Sequence, residues 1–586
     1  MLTPNTFVEP LDMPFSRRGS YICFANDNGG TNQYTTAHLW IATSRLRPTD
    51  KNMNNVMSPN SFRQVKVELI KDGIAQKCVI DTTPYEITLR GDDGKVSFCI
   101  GDPKYAVGKC EDNLILRLSP LPYIVRPMDL QNGCWKIPFS NYYMLLVPLR
   151  GTLRAGAMGS IELLPDENGV FELVCEESLV DPKRRDTYMN YEESLAAVTE
   201  DFDSFERSLD PGAPEKYARR TKEAIWSLWG LTQMPDGETV YKRPMVRMMR
   251  SLFDEAFSWQ HAMYAYFLSK NLDFSWQLLL SSFDNQDSTG KIADALAYNG
   301  PGEPTKPPLH GVGFLYLYEH FDLSKRPLEE LKFLYNGMEK WTQYHLEYRD
   351  LDHDGIYENQ SPIETGWEDA TYFRTGFPLI SPDMNAYLAL QEEALAKLGR
   401  MIGISEDVCA AWEAKSKDTI EKIIKICWTD EGWTSVNAVT GARSLPTGLP
   451  MYCALLLGKR LPQEIIDKSI EIIFREPGFQ TPYGLATEDT TSPYFKSGGW
   501  CSGGIATPIY ALLTVAFENC GRPDLAKKIA LEHIELINNA GLFHMIDALN
   551  GERNRQSAMT MRGERTLFNS GWTCGLFIFL VQNYAK

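Results

Sequence analysis

The chain is predicted to be multidomain, an N-terminal antiparallel β-sandwich followed by a ring of α-helices, and three observations predict it. Its 586 residues exceed what one ordinary core organises. Up to about residue 180, short runs alternate polar and apolar side chains between Gly- and Asp-rich turns, the period of half-buried strands. From residue 215 onward, amphipathic segments of helical period follow one another, separated by long loops rich in Gly and Pro.

In order along the chain, Gln64-Val-Lys-Val-Glu-Leu-Ile70 alternates and then breaks at Lys71-Asp-Gly73. Residues 85–90 and 95–100 flank Gly91-Asp-Asp-Gly94, which reads as a hairpin turn. In the same manner 161–164 and 170–174 flank Pro165-Asp-Glu-Asn-Gly169, predicting another hairpin. Short strands at this spacing predict a sandwich over 1–185. The run from Tyr191 is helical in period and is followed by Pro211-Gly-Ala-Pro214, so 186–214 reads as a helical linker. Helices are expected at 386–399, 406–426, 462–474 and 523–539, among roughly a dozen across 215–586. An even set of helices with its functional residues in connecting loops implies helical hairpins closed into a ring. The loops are too long and irregular for a stack of helical repeats.

Hydrophobic residues at 43% and charged residues at 23% describe a globular chain. A formal net charge of -17 argues against nucleic acid and anionic membrane as partners. A small neutral carbohydrate is compatible, and homo-oligomers are not excluded. The start carries no basic and apolar leader pattern, and no run reaches the length of a membrane span. The 12 cysteines are scattered without a CxxC pair, as expected of buried reduced thiols in a cytoplasmic protein.

The chemistry concentrates in Pro362-Ile-Glu-Thr-Gly-Trp-Glu-Asp-Ala-Thr-Tyr372, where three carboxylates and a Trp surround one glycine. A carboxyl group against an aromatic ring keeps its proton to higher pH because water is excluded, which suits the acid of a glycosidase. Glu368, next to Trp367, is the first candidate, and Asp369 is its rival. Glu364 is expected to hold the loop or a sugar hydroxyl. Glycoside hydrolysis also needs a second carboxylate on the opposite face of the sugar. Arg562-Gly-Glu-Arg-Thr-Leu-Phe-Asn-Ser-Gly-Trp572 supplies Glu564, with Asp547 and Glu552 as alternatives.

Five segments, in order, resemble glycoside hydrolase families 37 and 63, the trehalases, processing α-glucosidases and mannosylglycerate or glucosylglycerate hydrolases. Glu364-Thr-Gly-Trp-Glu-Asp369 resembles their E-S-G-W/L/M-D element, and Phe253-Asp-Glu-Ala-Phe-Ser-Trp259-Gln-His261 their F-x-E-x-x-x-W-D segment. Thr289-Gly-Lys-Ile-Ala-Asp294 with Pro307-Pro-Leu-His310 is similar to G-x-I-P…Q-P-P, and Ser381-Pro-Asp-Met-Asn-Ala-Tyr-Leu388 to P-V-D-L-N-A-Y-L. Gly563 to Gly575 resembles the trehalase run G-E-Y-x-x-Q-x-G-F-G-W-T-N-G, one residue shorter between Glu and Trp. The resemblance implies an (α/α)6 barrel and an inverting hydrolase, with the acid at Glu368 and the base at Glu564. It also implies sugar-subsite roles for Trp259, Gln260, His261, Lys306, His310, Glu364, Trp367, Trp500 and Trp572. The departures lie at Glu368 and Gln260, where relatives carry Asp, and at Lys306, where they carry Gln.

Asp350-Leu-Asp-His-Asp-Gly-Ile-Tyr-Glu358 places oxygens at alternate positions of an acidic turn. Asp350, Asp352, Asp354, the Ile356 carbonyl and Glu358 are thus candidate ligands of a structural calcium ion, which some family 63 enzymes hold in such a loop. The twelfth position is Ser361 rather than Glu. No organic cofactor is required. The expected activity is hydrolysis, with inversion, of an α-linked gluco- or manno-configured disaccharide, oligosaccharide or glycosylglycerate. The alternatives are a phosphorylase or sugar epimerase on the same barrel, or a non-catalytic sugar-binding protein.

Overall fold

The computed structural model describes residues 6–10, 13–27, 38–43, 63–121, 125–139, 142–209, 212–250, 255–302, 304–552 and 569–586. The chain divides into two compact units: Met1–Ser208, Ile225–Asp236 and Met249–Asp254 in one, Leu209–Ala224, Gly237–Met248 and Glu255–Lys586 in the other.

The first unit is an antiparallel β-sandwich. One sheet runs, in spatial order, Ile22–Asp27, His38–Thr43, Arg63–Lys71, Ile115–Pro120, Ile161–Leu164 and Thr152–Ala155. The other runs Met128–Asp129, Trp135–Pro138, Tyr143–Arg150, Phe171–Ser178, Tyr105–Cys110, Gly94–Asp102, Ile87–Gly91 and Val79–Thr82. Val65, Val67 and Leu69 point inward while Gln64, Lys66 and Glu68 stay half-exposed, the alternation a one-sided strand requires. Phe24 of the first sheet meets Phe98 of the second with ring centroids 5.0 Å apart.

The hairpin expected at 161–174 is not formed. Ile161–Leu164 pairs with Ile115–Pro120 in one sheet, whereas Phe171–Ser178 pairs with Tyr143–Arg150 and Tyr105–Cys110 in the other. Asp166 closes a compact turn by accepting from the N–H groups of Asn168 and Val170. Turn chemistry of this kind reverses the chain whether or not the flanking strands share a sheet. The hairpin at 91–94 does form, with Gly91 opposite Gly94.

Twelve α-helices occur among the described residues: α1 Tyr191–Leu209, α2 Glu215–Leu231, α3 Ser258–Phe267, α4 Leu272–Ser281, α5 His310–His320, α6 Leu328–Tyr348, α7 Pro382–Ile402, α8 Glu406–Cys427, α9 Gln463–Phe474, α10 Thr507–Asn519, α11 Pro523–Ala540 and α12 Gly571–Tyr584. In the second unit α3, α5, α7, the 3₁₀ segment Leu449–Arg460, α10 and α12 each touch the next, and α12 returns to α3. That closed inner ring of six, with α4, α6, α8, α9 and α11 among the helices outside it, is an (α/α)6 barrel. Its sequence reflects the position: every residue of α3, and Gly571–Gln582 of α12, is buried, as expected of helices apolar all round. Outer α8 instead buries one stripe of Cys409, Ser416, Thr419, Ile420, Ile423 and Cys427. The expected helix at 386–399 starts earlier, because Pro382 fits the first turn where no N–H is needed. The twelve cysteines are all buried. Among the described residues no helix is long and apolar enough to cross a membrane.

Candidate active site

The loops that enter the inner helical segments meet at one end of the barrel. Trp259 stands in the first turn of α3, Lys306 just before α5, the 362–372 loop before α7, Thr447 before the Leu449–Arg460 segment, Trp500 before α10 and Trp572 in the first turn of α12. Trp259 makes edge contacts with Trp367 at 5.5 Å and Trp572 at 4.9 Å. Trp367 lies 6.3 Å from Trp500, which stacks on His544 at 4.9 Å. Such pairs contribute about 0.5–1.5 kcal/mol each beyond the area they bury. Gly366 makes this packing feasible. Its φ is +75°, and a Cβ there would lie 2.3 Å from the Trp259 ring.

Glu368 is placed by two donors from different loops. Its Oε1 accepts from Lys306 Nζ at 2.7 Å, and its Oε2 accepts from Trp500 Nε1 at 3.0 Å. Its side chain is 37% exposed, so the carboxyl is held yet open to a ligand. The other acids of the region are committed to the loops themselves. Asp369 accepts from the Trp500 and Cys501 N–H groups and the Ser502 hydroxyl, tying the acid loop to Ser497-Gly-Gly-Trp-Cys-Ser-Gly-Gly504. Glu364 is buried, paired with Arg349 at 2.7 Å, and accepts from the Gln360 N–H. These contacts anchor the loop.

Two further carboxyls, not singled out by sequence, complete the support. Asp383 in the first turn of α7 is fully buried and accepts from Trp367 Nε1 at 3.0 Å and the Ser381 hydroxyl at 2.7 Å. Burial pushes its carboxyl up to about 6, against the pull of those donors. Glu488, also fully buried, accepts from the hydroxyls of Thr371 and Thr447, both at 2.7 Å. The Ser-Pro-Asp run at 381–383 and the Thr at 371 were visible in the sequence, but only their contacts reveal the roles.

Lys306 is 4% exposed and also donates to the Ile363 carbonyl at 2.6 Å. Behind it lies Asp294, a carboxyl with Oδ2 3.8 Å from the ammonium and Oδ1 without a hydrogen-bond partner among the described residues. Burial pushes Asp294 up to about 7. Burial acts to depress the Lys306 ammonium, but Asp294 and Glu368 outweigh it and hold it above the usual lysine value.

The remaining candidates fall into place differently. Gln260 is buried beside Trp259, its Oε1 unpartnered among the described residues. His261 Nε2 accepts from the Val246 N–H, and Nδ1 faces the Phe257 carbonyl at 2.8 Å. Burial lowers it to about 4, so it is a neutral ring that closes backbone bonds. His310, lowered by burial to about 3, packs on Phe283. Trp367 and Trp572 expose at most 1% of their surface and form the packed floor, not an open stacking face. Asp547 accepts from Ser497 Oγ and from the Leu549 and Asn550 N–H groups, and Glu552 is exposed on the same turn. Glu564 lies outside the described residues, as does Phe253 of the subsite segment.

Asp350, Asp352 and Asp354 do converge, with one oxygen of each within 4.8 Å of the others. Asp350 is buried and takes the Asp354 and Gly355 N–H groups, while Glu358 takes the Leu351 N–H. Burial raises Glu358, and the charges of Asp352, Asp350 and Asp354 add to that rise.

Residues 255–563 match the profile of the mannosylglycerate hydrolase MGH1-like glycoside hydrolase domain. No curated protein matches the chain. Among solved structures, the GH63 mannosylglycerate hydrolase from Thermus thermophilus in complex with Tris and D-glycerate is 17% identical, with a TM-score of 0.52 over 61% of this chain and 99% of that one. Its glucose complex is 16% identical with the same score and coverage. The neutral trehalase Nth1 from Saccharomyces cerevisiae is 15% identical, with a TM-score of 0.46 over 58% of this chain and 74% of that one. At these identities the likeness is one of fold, whereas the profile spans more than half of the chain. This chain belongs to the mannosylglycerate hydrolase MGH1-like glycoside hydrolase family.

Proposed function

We propose that this glycoside hydrolase cleaves an α-linked gluco- or manno-configured disaccharide, oligosaccharide or glycosylglycerate with inversion, Glu368 acting as the general acid. One observation carries the assignment: Glu368 is oriented by two donors from different loops, and its side chain is 37% exposed. Glu364, Asp369, Asp383 and Glu488 spend their oxygens on the loops. Inversion requires a second carboxylate to activate water across the ring, and Glu564 is the proposed base. The Glu368 carboxyl would deliver its proton as the leaving oxygen departs.

The substrate and stereochemistry are read together by proton NMR of the first-formed sugar across a panel of α-disaccharides and α-glycosylglycerates. The expected first product is the β-anomer. An α-anomer formed first would rule out inversion, and the absence of any hydrolysis across the panel would overturn the substrate class.

The acidic turn at 350–358 is proposed to hold one structural calcium ion. Three convergent carboxylates, and a fourth raised by burial and then by their charge, suit a hard cation bound through oxygen. Its role would be to fix the segment leading into Glu364.

A further inference from the structure

Beside the acid stands an arrangement that hydrolysis alone does not call for: two carboxyls next to one buried ammonium. Asp294 Oδ2 is 3.8 Å from Lys306 Nζ, and Lys306 Nζ is 2.7 Å from Glu368 Oε1. The ends of this row differ in setting. Asp294 is fixed in the interior, its N–H bonded to the Pro304 carbonyl and its carbonyl to the Ser258 N–H at the start of α3. Glu368 faces outward. We infer that Asp294 is a positioning residue for the acid, keeping through Lys306 one proton in this row and yielding it to Glu368 when a sugar covers that carboxyl.

The inference rests on Glu368 being the acid. A carboxyl beside an ammonium is in general better suited to accept a proton than to deliver one. Asp294 removes the conflict. In the free enzyme burial keeps Asp294 neutral up to about pH 7, so Lys306 is balanced by Glu368. A bound sugar strips water from Glu368 and favours its neutral form. Lys306 Nζ then gives a proton to Glu368 Oε1 and receives the Asp294 proton once Oδ2 closes from 3.8 Å to hydrogen-bond range. One O–H bond breaks on Asp294 and one forms on Glu368, while Lys306 remains an ammonium, now balanced by Asp294. Coupled in this way, the two carboxyls titrate as a unit.

No other described group takes Asp294's place. Asp369 is engaged by three donors. Burial first, and nearby carboxylates second, push the Cys501 thiol and the Tyr372 phenol well above their ordinary values. Asp383 is bound to Trp367 and Ser381. His544, against Trp500, is lowered by burial to about 3 and is neutral.

The test compares pH–rate profiles of the full-length enzyme and its variants on two substrates: the best α-glycoside of the panel, and the α-fluoride of the same sugar, whose leaving group needs no proton. Asp294→Asn should lower kcat on the glycoside at least about tenfold at pH 7, within the range ascribed to acid catalysis, and leave KM within about threefold. Its alkaline limb should move down by about one pH unit or more, and its rate on the fluoride should stay within about twofold of wild type. Lys306→Gln should move the alkaline limb up, and the double variant should recover most of the loss, because neither charge then remains. An unmoved limb in Asp294→Asn, or an equal loss on the fluoride, overturns the relay. If Asp294→Asn does not fold, the Lys306→Gln limb decides, and an unmoved or lowered limb overturns it. Full activity of Glu368→Gln on the glycoside would instead remove the acid assignment, whereas an inactive Glu368→Gln beside a wild-type Asp294→Asn removes only the relay.

Discussion

Gly366 and Trp367 show how little tolerance the site has at the scale of single residues. Gly366→Ala would force a Cβ into a left-handed backbone and to within 2.3 Å of the Trp259 ring. The strain alone is of order 1–3 kcal/mol, and relief would shift the acid loop. The expected result is a lower denaturation midpoint together with at least about tenfold slower turnover, since a displacement of about 1 Å costs up to a hundredfold. Trp367→Phe keeps the ring but leaves Asp383 one donor short. Leaving a buried acceptor unsatisfied costs about 1–3 kcal/mol, measurable as a shift in urea midpoint. An unchanged midpoint would show that Trp367 does not hold Asp383 in solution. Sequence alone located Glu368 and its flanking rings because the Glu-Thr-Gly-Trp-Glu-Asp run is local. Asp294 ends a segment that resembles the family, yet nothing local assigns that Asp a role. Its meaning comes from Lys306, twelve positions away along the chain and 3.8 Å away in space.

Secondary elements were legible where period decides and illegible where pairing decides. The alternation at 64–70 and the helical stripes of α7, α8, α9 and α11 follow from which faces are buried, and the hydrophobic pattern records that directly. Pairing partners leave no such record, so the turn at 165–169 reads alike for a hairpin and for a crossing between sheets. The acidic turn at 350–358 belongs to this scale too. If it holds calcium, adding the ion to chelator-treated protein should raise Tm, by an amount equivalent to about 2.7 kcal/mol at a hundredfold excess over Kd. Asp352→Asn with Asp354→Asn should abolish that rise. An unchanged Tm in the parent protein would leave the turn as a self-bonded acidic loop.

For the molecule as a whole, burial of titratable groups sets the response to pH. His261, His310, His345, His533 and His544 are buried and lowered to about 3–4. Their stabilisation is present above the unfolded value near 6.5 and is lost as pH falls toward the folded values. Asp294, Asp383 and Glu392 act with the opposite sign. Burial raises them to about 6–7, so they favour the fold in acid and weaken it as pH rises from about 4 to 7. Five groups oppose three near pH 5, and unfolding there should take up about two protons net from this set. The urea midpoint should therefore fall between pH 7 and pH 5. A midpoint that rises over that interval would show that the histidines are not held neutral.

The barrel was legible at this scale because the even helix set and its loop-borne motifs imply closure. The ring contacts of α3, α5, α7, the 449–460 segment, α10 and α12 bring those loops to one end. The central claim is that the proton comes from Glu368, and the most direct measurement is the turnover of Glu368→Gln on the best α-glycoside found. Removal of a general acid predicts a loss of at least about a hundredfold with the fold intact. Turnover near the wild-type rate would contradict it.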